Sequence, residues 1–424
     1  MNPEAAADAP PSEVGHVHQS RWQLVGLSLY WLALAYLWNS FGTIALPLLV
    51  QRVAPPGELN TYLGNLEAFG LLIAALVQPT IGFLSDRTLS GIGRRKPYVL
   101  AGTLGDAIFL FGIAFAGTYG LLFVFYALLQ MSSNVAQGPY QAMLPDRVPT
   151  HQRGQASGLY GVFNLGGTLL GFAVISFLIS RRLTEAAVLS VAVVMLATML
   201  VTVLFIPDRP WDRAQQLRLQ RQSGANENRR SVSNFLLLLV SRFFIFMGIS
   251  AIQAFSAYYI EFVFFNGKYS AGAAAALLSV VIVVAGLVNY PAGMVSDRVG
   301  RKLMVGSAAT VCAVGCLLLF GAKSLPLAIA FGAIVGVGFG MFFAVDWALI
   351  ADLVPKNRVG FYMGISNIAT AGAASASKLV AGPLIDHFNH VHRNEGYHVL
   401  FLLGAAIFIL AAVSLVPVRS EAIA

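Results

Sequence analysis

The stretch VQPTIGFLSDRTLSGIGRRKPYVLAG, residues 77–102, changes character in its middle. An apolar run ends in Ser85-Asp86-Arg87, crosses a short insert of small residues and meets Gly93-Arg94-Arg95-Lys96-Pro97, after which a second apolar run begins. The same signal returns at residues 291–302 as PAGMVSDRVGRK. A charged connection repeated between long apolar runs marks a chain built from two copies of one hydrophobic unit.

Composition says what kind of unit this is. Of 424 residues, 57% are hydrophobic and only 11% charged, and the mean hydropathy is +0.72. A soluble domain of this size needs a charged surface that these residues do not supply. Apolar runs of about 20 residues match a hydrocarbon core about 30 Å thick at 1.5 Å per residue. Twelve runs fit, near 24–50, 59–84, 98–116, 119–144, 154–179, 184–206, 233–264, 270–296, 303–321, 325–351, 359–385 and 397–418. Their length excludes a β-barrel, whose strands need only about 10 alternating residues. The expected fold is all-α and polytopic, with twelve transmembrane helices in two pseudo-symmetric six-helix bundles.

Residues 1–20 carry neither the basic start nor the short apolar core of a signal peptide and read as a disordered cytoplasmic tail. Six-helix units over 21–206 and 233–418 flank a polar linker at 207–232, and 419–424 forms a short C-terminal tail. Placing both termini in the cytoplasm puts nineteen of the 27 Lys and Arg residues inside and six outside, with Arg242 and Lys378 left within spans. That asymmetry orients the chain. It also accounts for the net charge of +8 through topology and anionic lipid rather than nucleic acid. Cys312 and Cys316, four apart in one span, read as small packing residues.

Further loops repeat. LPDRVPTHQRG after span four parallels IADLVPKNRVG after span ten, aligning Asp146, Pro149 and Arg153 with Asp352, Pro355 and Arg358. Doubled Asp-Arg…Gly-Arg-Arg/Lys loops on twelve spans resemble the signature of the major facilitator superfamily. Two halves related by an axis along the membrane normal, with a site between them near the midplane, are the architecture this resemblance implies. The first loop, with Val77-Gln78-Pro79 and its long insert, is similar to the glycoside–pentoside–hexuronide group and to the sucrose–proton symporters. Asn134-Val-Ala-Gln137-Gly138-Pro139-Tyr-Gln141-Ala142 resembles the sucrose group's span-four segment. Two positions depart from the pattern. Gln141 stands where the sucrose group places an Arg tied to transport and coupling, which sets this chain apart from sucrose itself. Gln78 stands where the melibiose branch carries a cation-binding carboxylate, which leaves the proton as the expected coupling ion.

Polar residues in spans are costly and mark function. Gating is expected of Asp86, Arg87, Arg94, Arg95, Asp146 and Arg153 in one half and of Asp297, Arg298, Arg301, Asp352 and Arg358 in the other. The carboxylates suit helix N-termini and the cations pair across one face in one conformation only. Glu67 and Lys378, each about seven residues from the outer end of its span, suit an outer latch between halves. Arg242 and Asp346 lie at similar depth in spans seven and ten and suit a buried pair, a substrate contact or a proton relay. Asn39, Gln78, Asn134, Gln137, Gln141, Gln253, Tyr258 and Trp347 are candidate ligands for sugar hydroxyls. Asp106 in span three reads as a packing or gating residue. Gly332, Gly336 and Gly340 repeat every four residues within span ten and read as a close-packing face, not a dinucleotide loop. The four-histidine stretch DHFNHVHRNEGYH at 386–398 reads as a hydrated outer loop.

No nucleophile–base pair or phosphate loop accompanies these features, so no enzyme and no cofactor beyond the proton are expected. The expected function is a monomeric, proton-coupled sugar or glycoside symporter of the cell membrane, working by alternating access. An exporter of amphipathic compounds, or a non-transporting sensor or assembly factor on the same scaffold, are the rival readings.

Overall fold

The computed structural model describes residues 20–88, 90–148, 152–205, 229–353 and 359–417. The expected N-terminal tail, most of the expected linker and the C-terminal tail lie outside them. Twelve membrane-length helices run in order. In the first half α1 spans Arg21–Val53, α2 Leu59–Arg87, α3 Lys96–Ala114, α4 Tyr119–Arg147, α5 Arg153–Ser180 and α6 Thr184–Phe205. In the second, α7 covers Arg229–Tyr259 and continues through Ile260–Phe264, followed by α8 Ala271–Val299, α9 Arg301–Phe320, α10 Leu325–Leu353, α11 Val359–Val391 and α12 Glu395–Ser414. Among the described residues eleven helices are long and apolar enough to cross a membrane. The remaining one, α11, has a seam carrying Ser375, Ser377 and Lys378, which lower its hydropathy. The protein is an integral, multi-pass membrane protein.

The helices differ from the expected spans mainly at their ends. The helical backbone of α7 begins at Arg229, inside the stretch read as linker, and α11 runs on to Val391. Residues 386–391 are therefore a helix end rather than a loop, and Asp386 within them is buried. Two stretches leave the α-helical ladder for wider i→i+5 turns, Tyr36–Ala45 in α1 and Ile260–Phe264 in α7. Wide turns of this kind recur at functional positions because they re-aim side chains without ending the helix. Pro79 in α2 and Pro291 in α8 sit about two turns before the charged loops, and each removes one ladder hydrogen bond.

In lipid, helices associate through close packing and side-chain hydrogen bonds rather than through the hydrophobic effect. Tyr30 Oη lies 2.6 Å from Thr103 Oγ1, tying α1 to α3, and Thr202 Oγ1 donates to Gly26 O at 2.9 Å, tying α6 to α1. The glycine face of α10 packs on α8 as its spacing predicts. A Cβ at Gly336 would stand 2.5 Å from Val281 O, and one at Gly340 2.5 Å from Ala285 O. Free, buried Cys312 fills the contact of α9 with Gly338.

The nearest contacts of Gly336 and Gly340 are with backbone, which cannot swing aside. Gly340→Leu is expected to lower stability by about 1–3 kcal/mol through overpacking, whereas Gly306→Leu, on a part of α9 with no atom within 4 Å, is expected to be tolerated. Thermal melting of the detergent-purified variants checks this, and equal melting temperatures for the two would refute the packing account.

Candidate functional site

Between the halves lies a cavity of about 920 Å³, walled by α1, α2, α4 and α5 on one side and α7, α10 and α11 on the other. The size falls within the roughly 300–1,000 Å³ of small-molecule sites. The wide-turn segment of α1 presents Trp38, Asn39, Gly42 and Thr43 to it, and Pro79 of α2 lies on its wall. The first half lines the cavity with amides and aromatic rings: Asn39, Gln78, Gln130, Asn134, Gln137 and Gln141, with Trp31, Trp38, Tyr126 and Tyr160. The second half contributes a mainly apolar wall of Phe246, Ile249, Ala254, Phe343, Ala371 and Ala374, with Gln253, Ser250 and Thr370 as its neutral polar groups.

Hydrogen bonds hold several amides in place. Gln78 Nε2 donates to Gln141 Oε1 at 3.0 Å, joining α2 to α4. Asn39 Nδ2 donates to Thr168 Oγ1 at 2.9 Å, and Asn134 Nδ2 to Gln130 O at 2.8 Å. Six of the eight expected ligand residues therefore line the cavity. Tyr258 does not: its ring is fully buried in the seam, and its hydroxyl donates to Pro47 O at 2.8 Å across the halves. Tyr258 is a sealing residue, placed there by the rotation of α7 that no hydropathy pattern records. The Trp347 side chain lies outside the described residues.

Both expected ion pairs are present. Lys378 Nζ stands 2.5 Å from Glu67 Oε2, and both residues line the cavity. Arg242 pairs with Asp346 at a site only 4–5% exposed. Arg242 Nε also donates to Thr370 Oγ1 at 3.2 Å, and its guanidinium lies 4.8 Å from the centroid of Phe246. Arg242 and Asp346 thus stand behind the wall formed by Thr370 and Phe246 rather than on it. Asp106 is buried between α3 and α4, accepting from Ser132, away from the cavity lining.

Beyond the Glu67–Lys378 pair the halves close on the side away from the chain termini. Glu58, the residue before α2, supplies no side-chain cap. Asp386 of α11 supplies it from the other half: one carboxylate oxygen accepts from Asn60 Nδ2 at 2.7 Å, the other from Thr61 N at 2.7 Å and Thr61 Oγ1 at 2.6 Å. An anion on free helix N–H groups is favoured by hydrogen bonding and by the helix dipole together. Along the same seam Gly64 lies against Lys378 O and Gly382 against Asn60 O, and Ser375 Oγ donates to Ala68 O at 3.3 Å. On the opposite seam Ser176 Oγ of α5 donates to Ala271 O at 3.2 Å. Between α1 and α7, Gln51 Nε2 donates to Glu261 Oε1 at 2.6 Å, and Tyr269 donates to Ile44 O. Burial, with Glu261 nearby, holds the loop phenol of Tyr269 well above its ordinary range.

On the termini side, Arg94, Arg95 and Lys96 are buried against the first half, and Arg95 Nη1 donates to Ser85 Oγ at 2.5 Å. Arg298 is exposed and Arg301 half-buried. The side chains of Asp86, Arg87, Asp146, Arg153, Asp297 and Asp352, together with Arg358, lie outside the described residues. The structure adds Trp31, Trp38, Gln130, Glu261 and Asp386, which the sequence pattern does not single out. Trp31 and Trp38, seven apart on one helical face, carry a signal in their spacing; Asp386 is concealed by the loop-like composition around it. Among the described residues no group of three His, Cys, Asp or Glu is placed to hold a metal ion.

Comparison with known proteins agrees with this geometry. Residues 32–418 match the model of the MFS/sugar transport protein family. A sucrose transport protein of Arabidopsis thaliana, SUC3, is 26% identical over 42% of this chain and 36% of its own length. The general alpha-glucoside permease of Schizosaccharomyces pombe is 30% identical over 33% of this chain and 30% of its own. The chain thus matches only about a third of the length of these curated relatives. The crystal structure of a D-xylose–proton symporter superposes with a TM-score of 0.72 at 16% identity, covering 95% of this chain and 97% of that one, which shows a shared fold. The chain belongs to the MFS/sugar transport protein family.

Proposed function

We propose that the chain is a proton-coupled symporter for a sugar or glycoside, working by alternating access with both termini in the cytoplasm. The carrying observation is the cavity itself: neutral amides and aromatic rings converge on one side of a space sealed at one end by contacts between the halves. Hydroxyl groups need such convergent donors and acceptors, and an apolar ring face suits the hydrophobic face of a sugar. The charged groups on or beside the cavity are matched in pairs, Glu67 with Lys378 and Arg242 with Asp346, which favours an uncharged substrate. The surplus of Lys and Arg on the termini side supports the orientation. In that orientation the closed far side is extracellular and the conformation is inward-facing.

The coupling proton is assigned to Glu67. Opening the far side separates α2 from α11 and takes Lys378 from Glu67, leaving a carboxylate in a largely apolar seam. A proton taken from outside neutralises it there at less cost than an unpaired charge. When the far side closes again, Lys378 returns, the carboxylate gives up the proton, and the cavity passes it inward. Arg242 and Asp346 hold the cavity wall in register through Thr370. The apolar wall of the second half supports the second reading, an exporter of amphipathic compounds.

Uptake of labelled sugars and glycosides into proteoliposomes, with and without an imposed inward proton gradient, tests the reading. Accumulation of up to about 50-fold per 100 mV is the ceiling for one proton per substrate, and a protonophore is expected to abolish it. Glu67→Gln is expected to keep substrate exchange while losing accumulation. If no sugar or glycoside moves under any gradient, the sugar reading fails, and gradient-driven expulsion of an amphipathic dye would establish the rival.

The Arg242–Asp346 pair makes a separate prediction. Asp346→Asn or Arg242→Met alone leaves an unmatched buried charge or dipole and is expected to cost about 3 kcal/mol of stability. Replacing both by apolar residues, as in Arg242→Met with Asp346→Leu, is expected to recover most of that in a thermal melt. A double variant less stable than either single one contradicts the pairing.

A further inference from the structure

Five buried carboxylates lie within the described helices, and four are accounted for. Glu67 and Asp346 have cations, Asp386 accepts from the first turn of α2, and Asp106 is enclosed within one half against Ser132. Glu261 is different. It is fully buried in the wide-turn segment of α7, one oxygen accepts from Gln51 of the other half, and the other oxygen has no partner among the described residues. The residues that face it are uncharged or acidic. Gln51 comes from α1, Tyr258 from α7 itself, Tyr269 from the α7–α8 loop and Tyr397 from α12, with Asp386 of α11 bearing on two of these tyrosines, Tyr258 and Tyr397. Two basic residues adjoin this contact in sequence and are engaged or turned away: Arg52, next to Gln51, pairs with Glu185 at 3.2 Å, and Lys268, in the loop after α7, is exposed. Among the described residues, no cation pairs with Glu261.

An ionised carboxylate enclosed with one hydrogen bond and no counter-charge is strongly disfavoured, whereas the neutral acid keeps the hydrogen bond from Gln51 and buries no charge. The partner that encloses it belongs to the other half, so the enclosure exists only while the far side is closed. We propose that Glu261 is a proton-binding site in the far-side seal: the halves close over it in its protonated form, and it ionises when they part. The inference rests on the alternating-access reading but not on the identity of the substrate or on the coupling role of Glu67. The proton is taken from, and returned to, the far-side medium, so it biases the conformational equilibrium without being carried across.

The direction follows from linkage. Closure takes up a proton at Glu261, so acid on the far side favours closure and alkali favours opening, by up to about tenfold in the open-to-closed ratio per pH unit within the titrating window. Glu67 acts with the opposite sign, because it gives up a proton when Lys378 closes on it, and the comparison must therefore be between proteins that both retain Glu67. Spin labels at exposed Leu183, between α5 and α6, and exposed Lys323, between α9 and α10, report the far-side separation of the halves by pulsed electron resonance in lipid nanodiscs.

At about pH 8 the wild-type protein is expected to populate the longer distance at least about tenfold more than Glu261→Gln, which keeps a neutral side chain of the same shape. At about pH 4, just below the ordinary value for a solvated glutamate, the two are expected to converge. Glu261→Met serves as a second neutral variant should the first fold poorly, with the same expected result. Open fractions of wild type and both neutral variants that track one another over the whole range would overturn the proposal. Distances that never change with pH, substrate or variant would overturn the alternating-access reading and this proposal with it, while sugar transport assays would be unaffected by failure of the proposal alone.

Discussion

A carboxylate of one half caps a helix of the other. The first turn of α2 has free N–H groups and no local cap, and Asp386 reaches them from α11. In water such groups would find solvent, but at a sealed seam every polar group must find a protein partner or bear a desolvation cost. The seam can therefore be tight only where the complementary half is docked. Gly64 and Gly382 let the two backbones approach closely, and the Glu67–Lys378 pair closes the inner end of the same contact. The cavity owes its floor to this seam.

The seal and the cavity are linked because one pair of residues belongs to both. Glu67 and Lys378 line the cavity and also join α2 to α11. A change of charge on the cavity side is thereby felt at the gate, which is what coupling requires: a ligand acts on an equilibrium only through its different free energy in the two states. Arg242 and Asp346 act within the second half instead, and their pairing keeps α7 and α10 in register behind the wall formed by Thr370 and Phe246. Two buried ion pairs in one chain thus have different work, set by whether the seam passes between them.

Depth in the membrane is legible in the amino-acid pattern, and so is the need of the few buried charges for partners. Run length and charge asymmetry reveal the first, and burial cost calls for the second. The family architecture suggests Glu67 with Lys378, while Arg242 and Asp346 stay open between a pair, a substrate contact and a proton relay until the structure joins them. The spacing of Gly332, Gly336 and Gly340 likewise announces a packing face. What hydropathy does not encode is the rotation of a nearly uniformly apolar helix about its own axis. For that reason Tyr258 reads as a ligand and proves to be a seal. Asp386 is inconspicuous because polar residues at the end of a span look like a loop, and its partner Asn60 is 326 residues away in sequence. The wide turns of Tyr36–Ala45 and Ile260–Phe264 have no pattern of their own, and they carry Asn39 and Glu261.

The sulfur chemistry of the chain has a practical side. Cys312 and Cys316 are its two cysteines, and both are enclosed in the second half, with Cys312 pressed between α9 and α10. A folded molecule therefore shields its native thiols from water-soluble maleimides and methanethiosulfonates. Reagents of that class would report on a newly placed cysteine against a quiet background, and the sudden reactivity of the native pair would itself signal that the second bundle had come apart.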